Sequence, residues 1–176
     1  MSLTLHSALV PTWLQILGSV EGMVAKADRW CEDSGHSPVE LLGARLIEDM
    51  LPFAYQVKSC WVHSALAIEG VRKGAFQPHM DPPPDSFAGL VDKLAQARAT
   101  LEAIDPSELE GLASDDVVFS IGDKLRMEFT ARDFLLGFSV PNFHFHAATA
   151  YGILRMKGIE VGKRDYIGQL PLKQQG

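Results

Sequence analysis

The chain has 176 residues, a length that suits one domain and does not require a second. Hydrophobic residues make up 47% and charged residues 22%, which excludes a disordered, collagen-like or coiled-coil protein. The formal net charge is −6 and the basic residues are scattered, so nucleic acid and anionic membranes are excluded as partners.

The N-terminal segment has no charged leader followed by a long apolar run, and no stretch of the chain is expected to span a membrane. We therefore predict a cytoplasmic protein. Cys31 and Cys60 lie in apolar helical patterns without a Cys-x-x-Cys spacing, so both are expected to be buried and reduced.

The first long helix is predicted from apolar residues that recur at steps of three and four between Leu9 and Cys31. Pro11 is tolerated in a first helical turn, so residues 3–10 are predicted to form a separate lead-in. Gly35 then ends the helix.

A capping box with a proline at the first helical position, residues 37–40, predicts the next helix start. The apolar pattern continues to Ile68 across Pro52, which predicts a short helix, a break near Asp49, and then the second long helix. Residues 70–84 are rich in glycine and proline and are predicted to be an extended connection.

The third helix is predicted over residues 87–104, where the helical period returns. Apolar residues then alternate between 117 and 129, which predicts a small β-hairpin. The last helix follows and is predicted to be kinked at Pro141. Residues 159–176 have no strong period and are predicted to pack irregularly, with a loose end.

The last and second helices carry the polar residues that are candidates for a site. Asn142 and His146 are four residues apart and share one helical face. Asp49, Gln56 and His63 recur at intervals of seven and form a polar line on the second helix. If the two faces meet, two imidazoles and a carboxylate can bind zinc, nickel or iron. The alternative is that the polar line on the second helix faces solvent and that His146 only donates a hydrogen bond to a neighbouring residue of its own helix.

Tyr151 and Arg155 are predicted to form an edge of the same groove, although an arginine near a helix C-terminus is also expected from the helix dipole. His36 and His144 are predicted to be exposed and receive no role. The core-facing side of the last helix is predicted to carry Phe138, Phe145, Ala148 and Gly152.

Two C-terminal motifs are distinctive: Pro-Asn-Phe-His-Phe-His at 141–146 and Gly-Lys-Arg-Asp-Tyr-Ile-Gly at 162–168. With Leu154-Arg155 between them, they resemble the domain-of-unknown-function family nineteen ninety-three. That family is similar to a branch of the DinB-like superfamily. The resemblance implies a DinB-like four-helix bundle. With the predicted β-hairpin before the last helix, the chain is expected to form one all-α domain over residues 1–176.

The superfamily resemblance also implies a homodimer with a divalent metal held by three histidines in a groove between helices. Two of these histidines lie four residues apart on the last helix, and His146 matches the second because of its spacing to Leu154 and Arg155. The first falls at Asn142, a poor metal ligand. The third would come from the second helix, where the candidates are Asp49, Gln56 and His63.

Two functions are therefore predicted. The first is a dimeric ligand-binding or structural protein with a degraded metal site, which binds a small molecule. The alternative is a divalent-metal-dependent enzyme of the thiol transferase or hydrolase type, as some superfamily members are. The dimer is expected to form through exposed apolar helix faces that include Trp13 and Trp30.

Overall fold

A computed structural model describes residues 3–173, and residues 1–2 and 174–176, including the predicted loose end, lie outside the described range. The described chain is mainly helical and contains a small three-stranded sheet. Its first half comprises α1 (Leu5–Ser34), α2 (Pro38–Leu42), α3 (Phe53–Trp61), a π-helical segment (Val62–Leu66), α4 (Ala67–Lys73) and β1 (Ala75–Phe76). Its second half comprises α5 (Phe87–Glu102), α6 (Pro106–Leu112), β2 (Asp116–Ile121), β3 (Leu125–Thr130), α7 (Ala131–Asp133), a second π-helical segment (Phe134–Ser139), α8 (Val140–Met156) and α9 (Lys163–Ile167).

Helix α1 runs without a break through Pro11, so the prediction of a separate lead-in was wrong. Leu9 and Val10 are buried before the proline and continue the apolar face that follows it, while Pro11 itself is exposed. Burial of this face offsets the backbone hydrogen bond that the proline cannot make. The helix begins at a capping box on Thr4 and ends at Gly35 in the left-handed conformation.

By length and composition alone, α1 is long and apolar enough to cross a membrane, although no stretch of the chain was expected to span one. Its most apolar window has a mean hydropathy of 1.2, and half of that window is buried inside the fold. The helix packs against α5 and α8. A core helix of a globular protein passes the same test of length and hydropathy.

The second long helix begins at Phe53, directly after Pro52, and residues 43–52 are not helical. A proline restricts the residue before it to extended conformations, which keeps Leu51 out of the helix. Asp49 therefore lies in an exposed loop, and its predicted place on a helical line with Gln56 was wrong.

The same helix continues past Gly70 to Lys73, further than predicted. The absence of a side chain at Gly70 makes room for Phe76, because a Cβ there would lie 2.9 Å from Phe76 Cδ2. Phe76 belongs to the short strand β1, which the sequence pattern did not reveal. Strand β1 pairs in parallel with β2 through Ala75 opposite Val118.

Strands β2 and β3 pair antiparallel from Asp116 opposite Thr130 to Ile121 opposite Leu125. Thr130 then caps the next helix by accepting a hydrogen bond from the amide of Asp133. Five phenylalanines pack between this sheet and the adjoining helices, namely Phe76, Phe119, Phe129, Phe134 and Phe138.

The last helix contains a π-helical segment immediately before Pro141, where a kink was predicted. Pro141 offers no amide hydrogen to the preceding turn, and a widened turn accommodates this loss. The face of the last helix that was predicted to pack into the core differs from the observed one. Phe145, predicted to face the core, is 55% exposed, whereas Phe143 is fully buried. The residues of α8 that face the core are Phe143, Ala147, Ala150, Ile153 and Leu154.

The long helices pack side by side around the core. Helix α1 contacts α5 and α8, and α3 contacts the same two helices. The short α9, which was not predicted, packs on α1. This arrangement sets α3 and the π-helical segment that follows it beside α8, and these elements carry the candidate site.

Candidate functional site

His63 and His146 come together between the second and last helical stretches. Their ring centroids are 5.5 Å apart and the ring planes differ by only 14°. His63 is buried and His146 is half-buried. The two imidazoles of the predicted site are therefore neighbours, although 82 residues lie between them in the chain.

A hydrogen-bond relay fixes the orientation and tautomer of His146. The side-chain amide of Gln56 donates from Nε2 to the carbonyl oxygen of Leu51 at 2.9 Å. Gln56 Oε1 therefore faces His146 Nδ1 at 2.7 Å, and only a protonated Nδ1 can donate to it. The neutral His146 ring thus keeps its lone pair on Nε2. The carbonyl of Leu51 is available because Pro52 ends the helical hydrogen-bond pattern there.

His63 stands in the first π-helical segment, and its backbone leaves the helical region with φ −92° and ψ 17°. Its Nδ1 is buried without a hydrogen-bond partner among the described residues. Such segments often occur at functional sites because the extra residue redirects side chains. A buried nitrogen without a partner also carries a desolvation cost that a bound ligand can remove.

Both imidazoles are neutral at physiological pH. Burial and the neighbouring His146 lower the pKa of His63 to about 3, and burial lowers the pKa of His146 to about 4. A general base works best when its pKa lies near the working pH, so neither ring is suited to take a proton at pH 7. Both are suited to accept hydrogen bonds or to bind a metal, which neutral imidazole does.

Aromatic side chains surround the two histidines. The ring of Tyr55 lies edge-on to His146 at 6.4 Å, and Phe138 lies edge-on to His63 at 5.8 Å. Tyr55 was missed from the sequence.

The other predicted site residues do not join this pair directly. Asn142 donates from Nδ2 to the carbonyl oxygen of Phe138 at 2.7 Å, which ties its amide to its own helix. Arg155 donates to the carbonyl oxygen of Val161 at 2.8 Å, so it holds the chain that leaves α8. Tyr151 lies against Tyr166 at a ring distance of 6.1 Å.

The two histidines left without a role also have structural contacts. His36 stacks on Trp30 with ring centroids 4.2 Å apart. His144, predicted to be exposed, is half-buried, with Nδ1 3.4 Å from the hydroxyl of Tyr166, and burial lowers its pKa. Neither contributes to the pair formed by His63 and His146.

A metal ion would find two nitrogen ligands here and no third side chain of comparable strength. Catalytic zinc centres use three protein ligands and one open position. Within residues 3–173, no group of three or more His, Cys, Asp or Glu side chains is arranged to hold a metal. The buried Nδ1 of His63 and the Nε2 lone pair of His146 are competent donors, but the set is incomplete for a resident catalytic metal.

Comparisons with known proteins identify the family and the fold of this chain. Residues 5–167 match the family described as "Domain of unknown function (DUF1993)". A crystal structure of a DinB family member from Shewanella denitrificans is similar, with a TM-score of 0.83 and 26% sequence identity over 97% of this chain and 96% of that one. A search of curated protein sequences found no match. With its family match over nearly the whole length and this structural similarity, the chain belongs to the DUF1993 family and has a DinB-like fold.

Proposed function

We propose that this protein is a cytoplasmic DinB-like four-helix-bundle protein that binds a small uncharged molecule at His63 and His146, on a degraded metal site. The observation that carries the proposal is the relay from Leu51 through Gln56, which leaves the Nε2 lone pair of a neutral His146 beside a second neutral imidazole. Nδ1 of the buried His63 also has no hydrogen-bond partner among the described residues, so it can bind a polar group of a ligand.

The chemistry of the site selects a ligand with one polar hydrogen and an apolar body. An N–H or O–H group can donate to Nε2 of His146. An aromatic ring can pack against Tyr55 and Phe138, which flank the imidazoles. A charged ligand is disfavoured because both histidines are neutral and the surroundings are apolar.

Phenol is a suitable probe because it combines one O–H donor with an aromatic ring. We expect saturable changes in the amide NMR spectrum around His63 and His146 on titration with phenol. Replacement of His146 by Leu should weaken this binding by about tenfold or more, since a buried hydrogen bond to the ligand is lost. His144→Leu is the matched control, because His144 lies outside the site, and it should bind phenol like the wild type.

The alternative is a metal-dependent enzyme that uses the same two histidines as ligands. Metal analysis distinguishes it from a ligand-binding protein. Protein without a histidine tag is incubated with Zn²⁺ or Ni²⁺, dialysed and analysed for bound metal. We expect clearly less than one ion per chain. A stoichiometric ion that is lost in His146→Ala would refute the degraded site and favour the metal-dependent enzyme.

We further propose that the protein is a homodimer. Trp13 is only 1% exposed, so it belongs to the core and not to a dimer face. The support lies instead in the exposed apolar side chains Leu46, Phe145 and Met156. Light scattering at micromolar concentration should give twice the mass of one chain, and Phe145→Ser should shift it towards the monomer. A monomeric wild type would contradict the proposal.

A further inference from the structure

A basic groove lies between α1, α5 and α9. None of the residues that line it belongs to the first π-helical segment or to α8, where His63 and His146 stand. Its volume is about 590 Å³. The chain as a whole carries a net charge of −6, whereas the lining of this groove is mainly basic. Four basic residues and one acidic residue contribute to the lining: Lys26, Arg29, Arg98, Arg164 and Asp165.

Two of the basic residues are paired with carboxylates. Lys26 Nζ lies 2.7 Å from Asp165 Oδ1. Arg98 Nη1 lies 3.1 Å from Glu21 Oε2, and its Nη2 lies 3.7 Å from Glu102 Oε1. These pairs hold the walls of the groove together and leave little charge on Lys26 and Arg98 uncompensated.

The other two basic residues are not paired with carboxylates in the described part of the chain. Arg29 and Arg164 are exposed, and neither forms an ion pair with any residue between 3 and 173. Arg98 adds a buried Nε that has no hydrogen-bond partner in the same range. The groove thus offers unused guanidinium donors on α1, α5 and α9.

The 162–168 motif explains how Arg164 is held at the groove. Asp165 accepts hydrogen bonds from the amide of Gly162 at 2.7 Å and from Lys26, which fixes α9 against α1. Gln15 of α1 donates to the carbonyl oxygen of Ile167 at 2.8 Å from the other end. Both ends of α9 are therefore tied to α1, and Arg164 is carried between them.

The α1 side of the groove is formed partly by Gly18 and Gly22. A Cβ built on either residue would meet no other atom within 4 Å, so the space above the helix backbone is open. A ligand can therefore approach the backbone of α1 closely at these positions.

We propose that this groove binds a small phosphorylated molecule, with its phosphate group between Arg29 and Arg164. A phosphate ester carries a charge of about −1.5 to −2 at pH 7 in one group, which suits two uncompensated arginines. Guanidinium groups bind phosphate oxygens through paired N–H donors. The volume lies within the range of about 300–1,000 Å³ that is typical of small-molecule sites. This inference is independent of the two-histidine site.

Phenyl phosphate tests the proposal at low salt, where charge interactions are least screened. We expect saturable shifts of the Gly18, Gly22 and Gly168 amide signals, with weaker binding of benzoate and of inorganic phosphate. Arg29→Gln and Arg164→Gln should each raise Kd by about tenfold or more. Lys163→Gln removes an adjacent exposed charge that does not line the groove, and it should change Kd by less than about twofold.

Three results would overturn the proposal. The first is the absence of saturable binding. The second is an equal loss of affinity in Lys163→Gln, which would show only general attraction by surface charge. The third is affinity for benzoate or inorganic phosphate that equals the affinity for phenyl phosphate.

Discussion

At the scale of single residues, the candidate site depends on one glutamine. Gln56 links the free carbonyl of Leu51 to His146 and so decides which ring nitrogen carries the proton. Its side chain is 1% exposed, and water cannot readily replace either hydrogen bond. Gln56 is therefore a positioning residue, whose effect on a ligand is exerted through His146.

Replacement of Gln56 by Leu should leave His146 Nδ1 and the Leu51 carbonyl without their partners. The expected loss is about 1–3 kcal/mol in the free energy of unfolding, measured by urea denaturation. The ¹⁵N signals of His146 should report protonated Nδ1 in the wild type and a mixture of tautomers in the variant. Gln96→Leu, at an exposed position on α5, is the control and should stay within about 0.5 kcal/mol of the wild type. An unchanged tautomer in Gln56→Leu would contradict the relay.

At the scale of elements, α9 shows how a short segment depends on one backbone conformation. Gly168 follows it with φ 69° and ψ −148°, a region open almost only to glycine. A Cβ at this position would also clash with Ser19 Oγ on α1. The glycine therefore permits the close contact between the end of α9 and α1.

Replacement of Gly168 by Ala should detach α9 from α1 and cost about 1–3 kcal/mol locally. We expect faster hydrogen exchange at the amides of residues 163–167, with α3 unaffected. Gly158→Ala is the matched control, because Gly158 also has a positive φ, of 82°, but has open space around its Cβ position. Equal exchange rates in the two variants would mean that contact with Ser19 has no influence.

At the scale of the whole molecule, the two neutral histidines link stability to pH. Their folded-state pKa values, about 3 and about 4, lie below the ordinary value of 6.5. As the pH falls below 6.5, the unfolded chain binds protons that the folded protein does not. Their contribution to stability is therefore complete above pH 6.5 and is lost as the pH falls towards 4 and below.

In the presence of a chelator, the free energy of unfolding of the wild type should fall steadily between pH 6.5 and 4. In His63→Leu the titrating imidazole is removed. The slope of the free energy of unfolding against pH should therefore be smaller by about 1 kcal/mol per pH unit. Urea denaturation at a series of pH values measures both slopes. Parallel curves for wild type and variant would show that His63 is not held neutral by burial.

The sequence by itself determined the long helices, the last pair of strands and the family, because apolar periodicity and capping residues act locally. It also singled out His63, Gln56 and His146 as polar residues on two helices. It did not reveal β1 or α9, since strand pairing and docking on α1 supply their stability and neither is long enough to show a period.

Only the tertiary structure decided which candidates meet. The sequence spacing placed Asp49 on a line with Gln56, but Pro52 interrupts the helix and leaves Asp49 in an exposed loop. The π-helical segments rotate the faces beyond them, so that Phe145 turns outward while Phe143 enters the core. An extra residue in one helical turn shifts the phase of the hydrophobic pattern, and this shift was not recognised in the sequence. The contact of His63 with His146 is therefore decided by the packing of two helices against each other.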